Sequence, residues 1–287
     1  MMEPVLSVRG LETEFTTDDG VVKILHGVNF DVMAGRTLGL VGESGSGKSV
    51  TAMSIMGLLP KPYGQVTSGE ILYRGTDLVS LPPEEIYQMR GNRISMIFQD
   101  PMTALNPVHS IGKQLTEVLA LHNPEMSKKA QQAAALEMLE KVKIPLPEKR
   151  LNEYPHNLSG GMRQRVMIAM ALACRPDILI CDEPTTALDV TVQASILDLM
   201  NDLQEETGMA MIFITHDLGV VAEICDDVAV MYGGKIVENA DVFDLFDHPQ
   251  HPYTKRLLGL MPDLTTEPKQ LIDIPEIDPA LFPEFRG

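Results

Sequence analysis

The chain has 287 residues, 44% of them hydrophobic, enough to bury one substantial core beside a smaller satellite domain. No apolar run approaches the roughly 18 residues of a membrane helix; the nearest, VMIAMALAC from Val166 to Cys174, reads as a buried helix face. A formal charge of -17 argues against a broad nucleic-acid surface, although a local nest of amides and one lysine can still hold a small polyanion.

The first residues, MMEPVLSVRG, lack a basic start followed by a long apolar segment, so the chain is expected to work in the cytoplasm. PVLSVRGLETEF and VKILHGVNFDV predict two strands about the turn TTDDG, and RTLGLVG a short buried strand entering a glycine loop. TAMSIMGLL has the apolar density of a helix. ILYRGTDL predicts a strand and turn, and RISMIFQDP an apolar strand stopped by proline. From Ser110 to about Glu148 the composition shifts to strong helix formers, with Ala135, Leu139 and Val142 on one helix face. A helical subdomain at about residues 105–172 is expected. DILICDEP then predicts a strand, TVQASILDLMNDLQEE a helix with Val192, Ile196, Leu199 and Leu203 on one stripe, and MAMIFITH another strand. A helix from Asp217 to Ile224 and two strands about Gly233 and Gly234 follow. Such alternation predicts an α/β fold, a mostly parallel sheet covered on both faces. In DHPQHPY, His248 and His251 lie three apart, but the prolines mark an irregular surface segment rather than a metal site. Residues 1–260 are expected to form the folded unit and 261–287 an acidic, proline-containing extension with little structure. Cys174, Cys181 and Cys225 are widely separated, which fits reduced thiols better than a disulfide framework.

The chemistry concentrates at strand ends. GESGSGKS, Gly42 to Ser49, follows a strand and precedes a helix, so its amides can turn onto phosphate oxygens while Lys48 adds a charge and Ser49 a hydroxyl for magnesium. Asp182 and Glu183 end the apolar run DILICDEP, where adjacent carboxylates are costly unless a cation or a reacting water uses them. Asp182 is the metal-side residue and Glu183 the general base or water-positioning residue. Gln99 and His216 also end apolar strands, where each either caps its strand or senses a γ-phosphate and its water. LSGGMRQR, Leu158 to Arg165, is ambiguous by itself: a helix-start turn capped by Ser159, or half of a binding site.

Taken in order, GESGSGKS, Gln99, LSGGMRQ, ILICDE, ALD at Ala187 to Asp189 and His216 resemble the Walker A, Q-loop, signature, Walker B, D-loop and switch elements of ATP-binding-cassette ATPases. The resemblance implies a P-loop NTPase cassette: a mostly parallel core, an N-terminal antiparallel β subdomain and a helical signature subdomain. It implies ATP and Mg2+ as ligands. Phe15 would stack on adenine, with phenylalanine standing where tyrosine is commonest. Gly42, Ser44, Gly45, Gly47, Lys48 and Ser49 would hold the phosphates, with Ser49, Gln99 and Asp182 toward the metal and Glu183, His216 and Gln99 catalytic. In the family two such domains pair head to tail, so Ser159, Gly160 and Gly161 would contact the γ-phosphate held by a second ATP-binding subunit, identical or paralogous, and Gln164 and Asp189 would also be nucleotide-binding.

The resemblance also implies two separate transmembrane permeases, docking near PMTALNP after Gln99, an extracytoplasmic solute-binding protein, and a place on the cytoplasmic face of the plasma membrane. FQDPMTALNP, SGGMRQRVMIAMALACRPDILICDEPTTALDVTVQ and above all HPYTKRLLGLMP, His251 to Pro262, resemble the oligopeptide, dipeptide and nickel importer group. Peptide import is therefore the expected function, with oligosaccharide or other small-solute import as the alternative and a soluble, permease-free cassette ATPase as the rival. Members of that group usually continue into a cysteine-rich tail with an iron-sulfur cluster. This chain has no cysteine after Pro262, so no cluster is expected.

Overall fold

The computed structural model describes residues 3–99, 104–186 and 188–260. The extension 261–287, residues 101–103 of the expected docking segment and Ala187 of the ALD triplet lie outside the described residues. Two long strands, β1 (Pro4–Thr17) and β2 (Gly20–Met33), make an antiparallel hairpin. With β4 (Gly64–Tyr73) and the short β5 (Thr76–Asp77) they form a four-stranded antiparallel sheet in the order β2-β1-β4-β5. The second sheet contains β3 (Thr37–Val41), β6 (Ile94–Ile97), β7 (Ile178–Asp182), β8 (Ala210–Thr215), β9 (Asp227–Tyr232) and β10 (Lys235–Asp241). Its order is β10-β9-β3-β8-β7-β6, parallel throughout except for β10, which turns back on β9.

Alternation along these parallel strands divides the core in two. Leu38, Leu40, Ile178, Ile180, Ile212 and Ile214 face the antiparallel sheet and helix α1 (Lys48–Ile55). Val41, Leu179, Cys181, Met211 and Phe213 face the helices on the other side. Burial on both faces explains why these strands read as unbroken apolar runs.

The helical side is built from α3 (Ile111–His122), α4 (Lys128–Lys141), α6 (Gly160–Leu172) and α7 (Val190–Thr207), with the single turn α5 (Pro147–Arg150) between α4 and α6. Each long helix starts at a side-chain cap: Ser110, Ser127, Ser159 and Asp189 accept backbone N–H groups two or three residues into the helix. Ala135, Leu139 and Val142 are fully buried as their spacing requires. The stripe on α7 is wider than expected, because Leu197 and Met200 are buried beside Ile196, Leu199 and Leu203. A helix wedged between neighbours buries more than one line of residues.

Four elements depart from the sequence reading. Helix α1 starts at Lys48 rather than Thr51, because Gly47, with φ +108°, closes the loop directly onto it. Short helices α2 (Pro83–Met89) and α9 (Val242–Asp247) appear where no periodic run was visible. DHPQHPY is not an irregular surface segment throughout: His251 caps α10 (Pro252–Gly259), and Tyr253 is 1% exposed. Between α7 and β9, α8 (Leu218–Ile224) begins at Asp217, whose carboxylate accepts the Gly219 and Val220 amides as expected.

Candidate active site

Loop 42–47 leaves the carboxyl end of β3 and delivers its chain into α1. Gly42 has φ +152°, and a Cβ there would stand 2.1 Å from the Met231 carbonyl oxygen, so only glycine fits. A Cβ on Gly47 would meet Leu25 of β2 at 2.8 Å. Ser44 and Gly45 stand exposed at the crest of the loop. Lys48 folds back, its Nζ donating to the Gly42 and Glu43 carbonyls at 2.7 and 2.9 Å. Burial pushes its pKa down, against the carboxylates of Glu183, Asp182 and Glu43.

Parallel register brings the other strand ends to the same edge: Ile97 lies beside Cys181, Asp182 beside Ile214, and Val41 beside Thr215. Asp182 is 8% exposed and accepts a bond from the Ser49 hydroxyl at 3.1 Å. Burial raises its pKa, the Ser49 bond and Lys48 oppose that, and neighbouring Glu183 adds to it. Ser49 and Asp182 offer oxygen donors only, the chemistry a hard cation such as magnesium takes. Among the described residues no group of three or more His, Cys, Asp or Glu could hold a metal alone. An ion here would complete its shell with phosphate oxygens and water.

Glu183 is the most constrained residue of the site. It is not glycine yet has φ 47°, a conformation costing roughly 1–3 kcal/mol, held by its own N–H donating to the Ile214 carbonyl at 2.9 Å. One carboxylate oxygen faces His216 Nδ1 at 3.0 Å; the other accepts from Gln99 Nε2 at 2.9 Å and Thr186 Oγ1 at 3.1 Å. Burial raises the Glu183 pKa, but the His216 contact and charge, the Thr186 hydroxyl and Lys48 outweigh it, leaving the group below the ordinary carboxylate range. Gln99 and His216 thus orient a carboxylate here rather than merely capping strands. Thr186 was not singled out from sequence. Its only signal is its place in the turn EPTT, three residues beyond Glu183.

The signature residues lie apart from this cluster. Ser159 accepts from the Met162 amide and, like Gly160, is exposed. Among the described residues no hydrogen bond joins Ser159, Gly160 or Gly161 to loop 42–49. A Cβ on Gly161 would strike Val192 Cγ1 of α7 at 2.7 Å, whereas one on Gly160 would meet nothing within 4 Å. Gln164, expected at the nucleotide, is 1% exposed, with neither amide atom hydrogen-bonded. Its place on the face of α6 that carries buried Ile168 and Ala171 turns it inward. Asp189, also expected at the nucleotide, has its carboxylate on the Val192 amide at 3.0 Å. Phe15 is half-buried on β1 and packs over Gly64, where a Cβ would come within 2.9 Å of its ring. Thr13 of the same strand touches Ser54 of α1 at 3.1 Å, so β1 lies across the helix that leaves the phosphate loop.

A loop of this build at the edge of such a sheet makes the molecule a P-loop nucleotide hydrolase. Residues 25–186 match the model of the ABC transporter family, and the chain belongs to that family as one of its ATPases. It is 56% identical over 281 residues to the dipeptide transport ATP-binding protein DppD of Bacillus subtilis, covering 98% of this chain and 84% of that one. It is 55% identical over 284 residues to the oligopeptide transport ATP-binding protein OppD of the same organism, covering 99% and 79%. A probable peptide ABC transporter ATP-binding protein of Sinorhizobium fredii, y4tR, is 54% identical over 278 residues, 96% of this chain and 83% of that one. Among solved structures, the dimeric post-hydrolysis state of the cassette MJ0796 with ADP and Pi superposes with a TM-score of 0.73 at 27% identity, over 83% of this chain and 98% of that one. The cbiO1 subunit of the Clostridium perfringens cbiONQ transporter gives 0.72 at 27% identity, over 86% and 92%.

Proposed function

We propose that this chain energises the import of oligopeptides or dipeptides, acting on the cytoplasmic face of the plasma membrane with a second ATP-binding subunit, identical or paralogous. Two separate permease polypeptides would complete the transporter, fed by an extracytoplasmic solute-binding protein. No helix among the described residues is long and apolar enough to cross a membrane, so the described part would supply the ATPase and not the membrane path. The observation that carries the pairing is the separation of the two half-sites: loop 42–49 and Glu183 form one cluster, while Ser159 and Gly160 stand exposed at the start of α6. The peptide assignment leans on what the B. subtilis relatives are named for. The organisation that goes with this reading is a folded unit at 1–260, a helical subdomain at about 105–172 within it, and the extension 261–287.

In this reading the loop amides and Lys48 bind the β- and γ-phosphates of ATP, and Phe15 covers the adenine. Magnesium, held through Ser49 and Asp182 with Gln99 nearby, would supply charge neutralisation at the phosphates. Glu183 accepts a proton from water as the water oxygen bonds to the γ-phosphorus and the bond to the β–γ bridging oxygen breaks, so that ADP leaves with that electron pair. His216 and Gln99 keep the carboxylate aimed throughout. Its lowered pKa leaves it ionised at neutral pH while weakening it as a base, so its aim at the water counts for more than its basicity. A second subunit's Ser159 and Gly160 would close over the γ-phosphate with the amides of the α6 N-terminus. Closure would move the helices that follow Gln99, and PMTALNP, residues 101–107, is where the permease would dock.

The test is reconstitution with a candidate pair of peptide permeases, assaying ATP-dependent uptake of labelled peptides and oligosaccharides in parallel. Peptide uptake abolished by Glu183→Gln supports the reading. Uptake of sugar without peptide would replace the substrate, and ATPase activity indifferent to any permease would favour the soluble rival.

A further inference from the structure

HPYTKRLLGLMP lies beyond the strands that carry the chemistry and beyond residues 25–186, yet its tyrosine is driven into the interior, 1% exposed. The local sequence explains how. Glu238 of β10 accepts the backbone amides of Gln250 and His251 at 2.7 and 2.9 Å, fixing the chain just before α10. His251 Nδ1 then accepts the Tyr253 amide at 3.1 Å as a helix cap, and Pro252 occupies the first helical position, where no amide is needed. The ring of Tyr253 packs on Tyr232 with centroids 4.5 Å apart. Its hydroxyl accepts the Glu43 amide of the phosphate loop at 3.0 Å.

We propose that Tyr253 is a positioning residue for ATP binding, a brace that locks the Gly42–Glu43 peptide in the orientation the phosphate loop needs. The Gly42 carbonyl and the Glu43 amide belong to one peptide plane and leave it on opposite edges. Lys48 Nζ holds the carbonyl edge at 2.7 Å and Tyr253 holds the amide edge. Rotating that plane would break both bonds and aim an N–H at an ammonium group. Glycine at 42 makes such a rotation easy, because it lacks the Cβ that would restrict φ and ψ. The lock must therefore come from outside the loop. A second brace acts at the other end, where Gly234, in the turn between β9 and β10, donates its amide to the Ser46 carbonyl at 2.9 Å. Together they set the loop before nucleotide arrives, so binding need not bear the cost of ordering it.

The inference rests on loop 42–49 being the ATP site, and the experiment separates the two. A fluorescent ATP analogue with magnesium is titrated into the full chain, and kcat, KM and Tm are measured for the wild type, Tyr253→Phe and Leu257→Ala. Tyr253→Phe keeps the ring and loses only the hydroxyl. Its Kd and KM should rise roughly three- to tenfold, the range for one lost hydrogen bond, while kcat at saturation stays near the wild-type value. Leu257 packs the same helix against the core with an aliphatic side chain that has no hydrogen bond to offer the loop. Leu257→Ala should lower Tm and leave Kd near the wild-type value. An unchanged Kd and KM in Tyr253→Phe would overturn the brace, and so would an equal rise in both variants, which would mean general loosening. A wild-type chain that bound no analogue would overturn the ATP-site assignment along with it.

Discussion

Gly160 and Gly161 are neighbours in sequence and should respond oppositely to the same substitution. In Gly161→Ala the new Cβ would sit 2.7 Å from Val192 Cγ1, with Cγ2 and Cβ of that residue at 3.7 and 3.9 Å. Valine cannot swing aside, because its branched Cβ fixes χ1 within a helix. The start of α6 must instead lift from α7, an overpacking cost of about 1–3 kcal/mol offset by about 0.5–1 kcal/mol from replacing glycine in a helix. A net loss centred on about 1 kcal/mol should lower Tm by about 2–4 °C for each kcal/mol. Gly160→Ala meets nothing within 4 Å, so only the helix gain remains and Tm should hold or rise. The methyl would nonetheless occupy the surface proposed to close on a second subunit's nucleotide. In a Glu183→Gln background, ATP-dependent dimer formation followed by light scattering should weaken about tenfold or more on adding Gly160→Ala, on the same overpacking scale. Gly161→Ala melting with the wild type would refute the packing argument. Gly160→Ala dimerising as readily as its parent would refute the closure.

Glu183→Gln alone should bind ATP with near-wild-type affinity in an analogue titration yet lose about 10²–10⁴ of kcat, the usual scale for removing a general base. Lys48→Ala removes the cation held at 2.7 and 2.9 Å by the Gly42 and Glu43 carbonyls, and calorimetric titration should show ATP binding lost at concentrations that saturate the wild type. Glu238 ties α10 to β10. Burial raises its pKa, but the Gln250 and His251 amides, donating at 2.7 and 2.9 Å, hold it below its ordinary 4.5. A depressed folded pKa means a stabilising contribution present above pH 4.5 and lost as pH falls through the folded value. The wild-type Tm should therefore drop more steeply than that of Glu238→Gln as pH falls below 4.5, and parallel curves would contradict this.

The catalytic strand ends were legible because burial makes them conspicuous. Five buried residues of β7 end in Asp182, and a polar residue that terminates such a run needs a reason. The same logic found Gln99 and His216. What local pattern could not supply is which segments hold these groups in place. The Glu43–Tyr253 bond joins residues 210 apart, and the Arg36–Asp227 pair that ties the start of β3 to β9 joins residues 191 apart. Neither leaves a periodic trace. Prolines around His251 read as surface irregularity, although one of them starts a helix, because an eight-residue element offers too few turns for a face to declare itself. Gln164 shows the opposite case. Periodicity alone places it with Ile168 on the inward face of α6, and the motif that contains it drew it toward the nucleotide instead. Ser159 is where the local reading and the proposed assembly are compatible: capping α6 occupies one side-chain acceptor site on its hydroxyl, and Ser159 and Gly160 stand exposed where the proposed partner's phosphate would arrive.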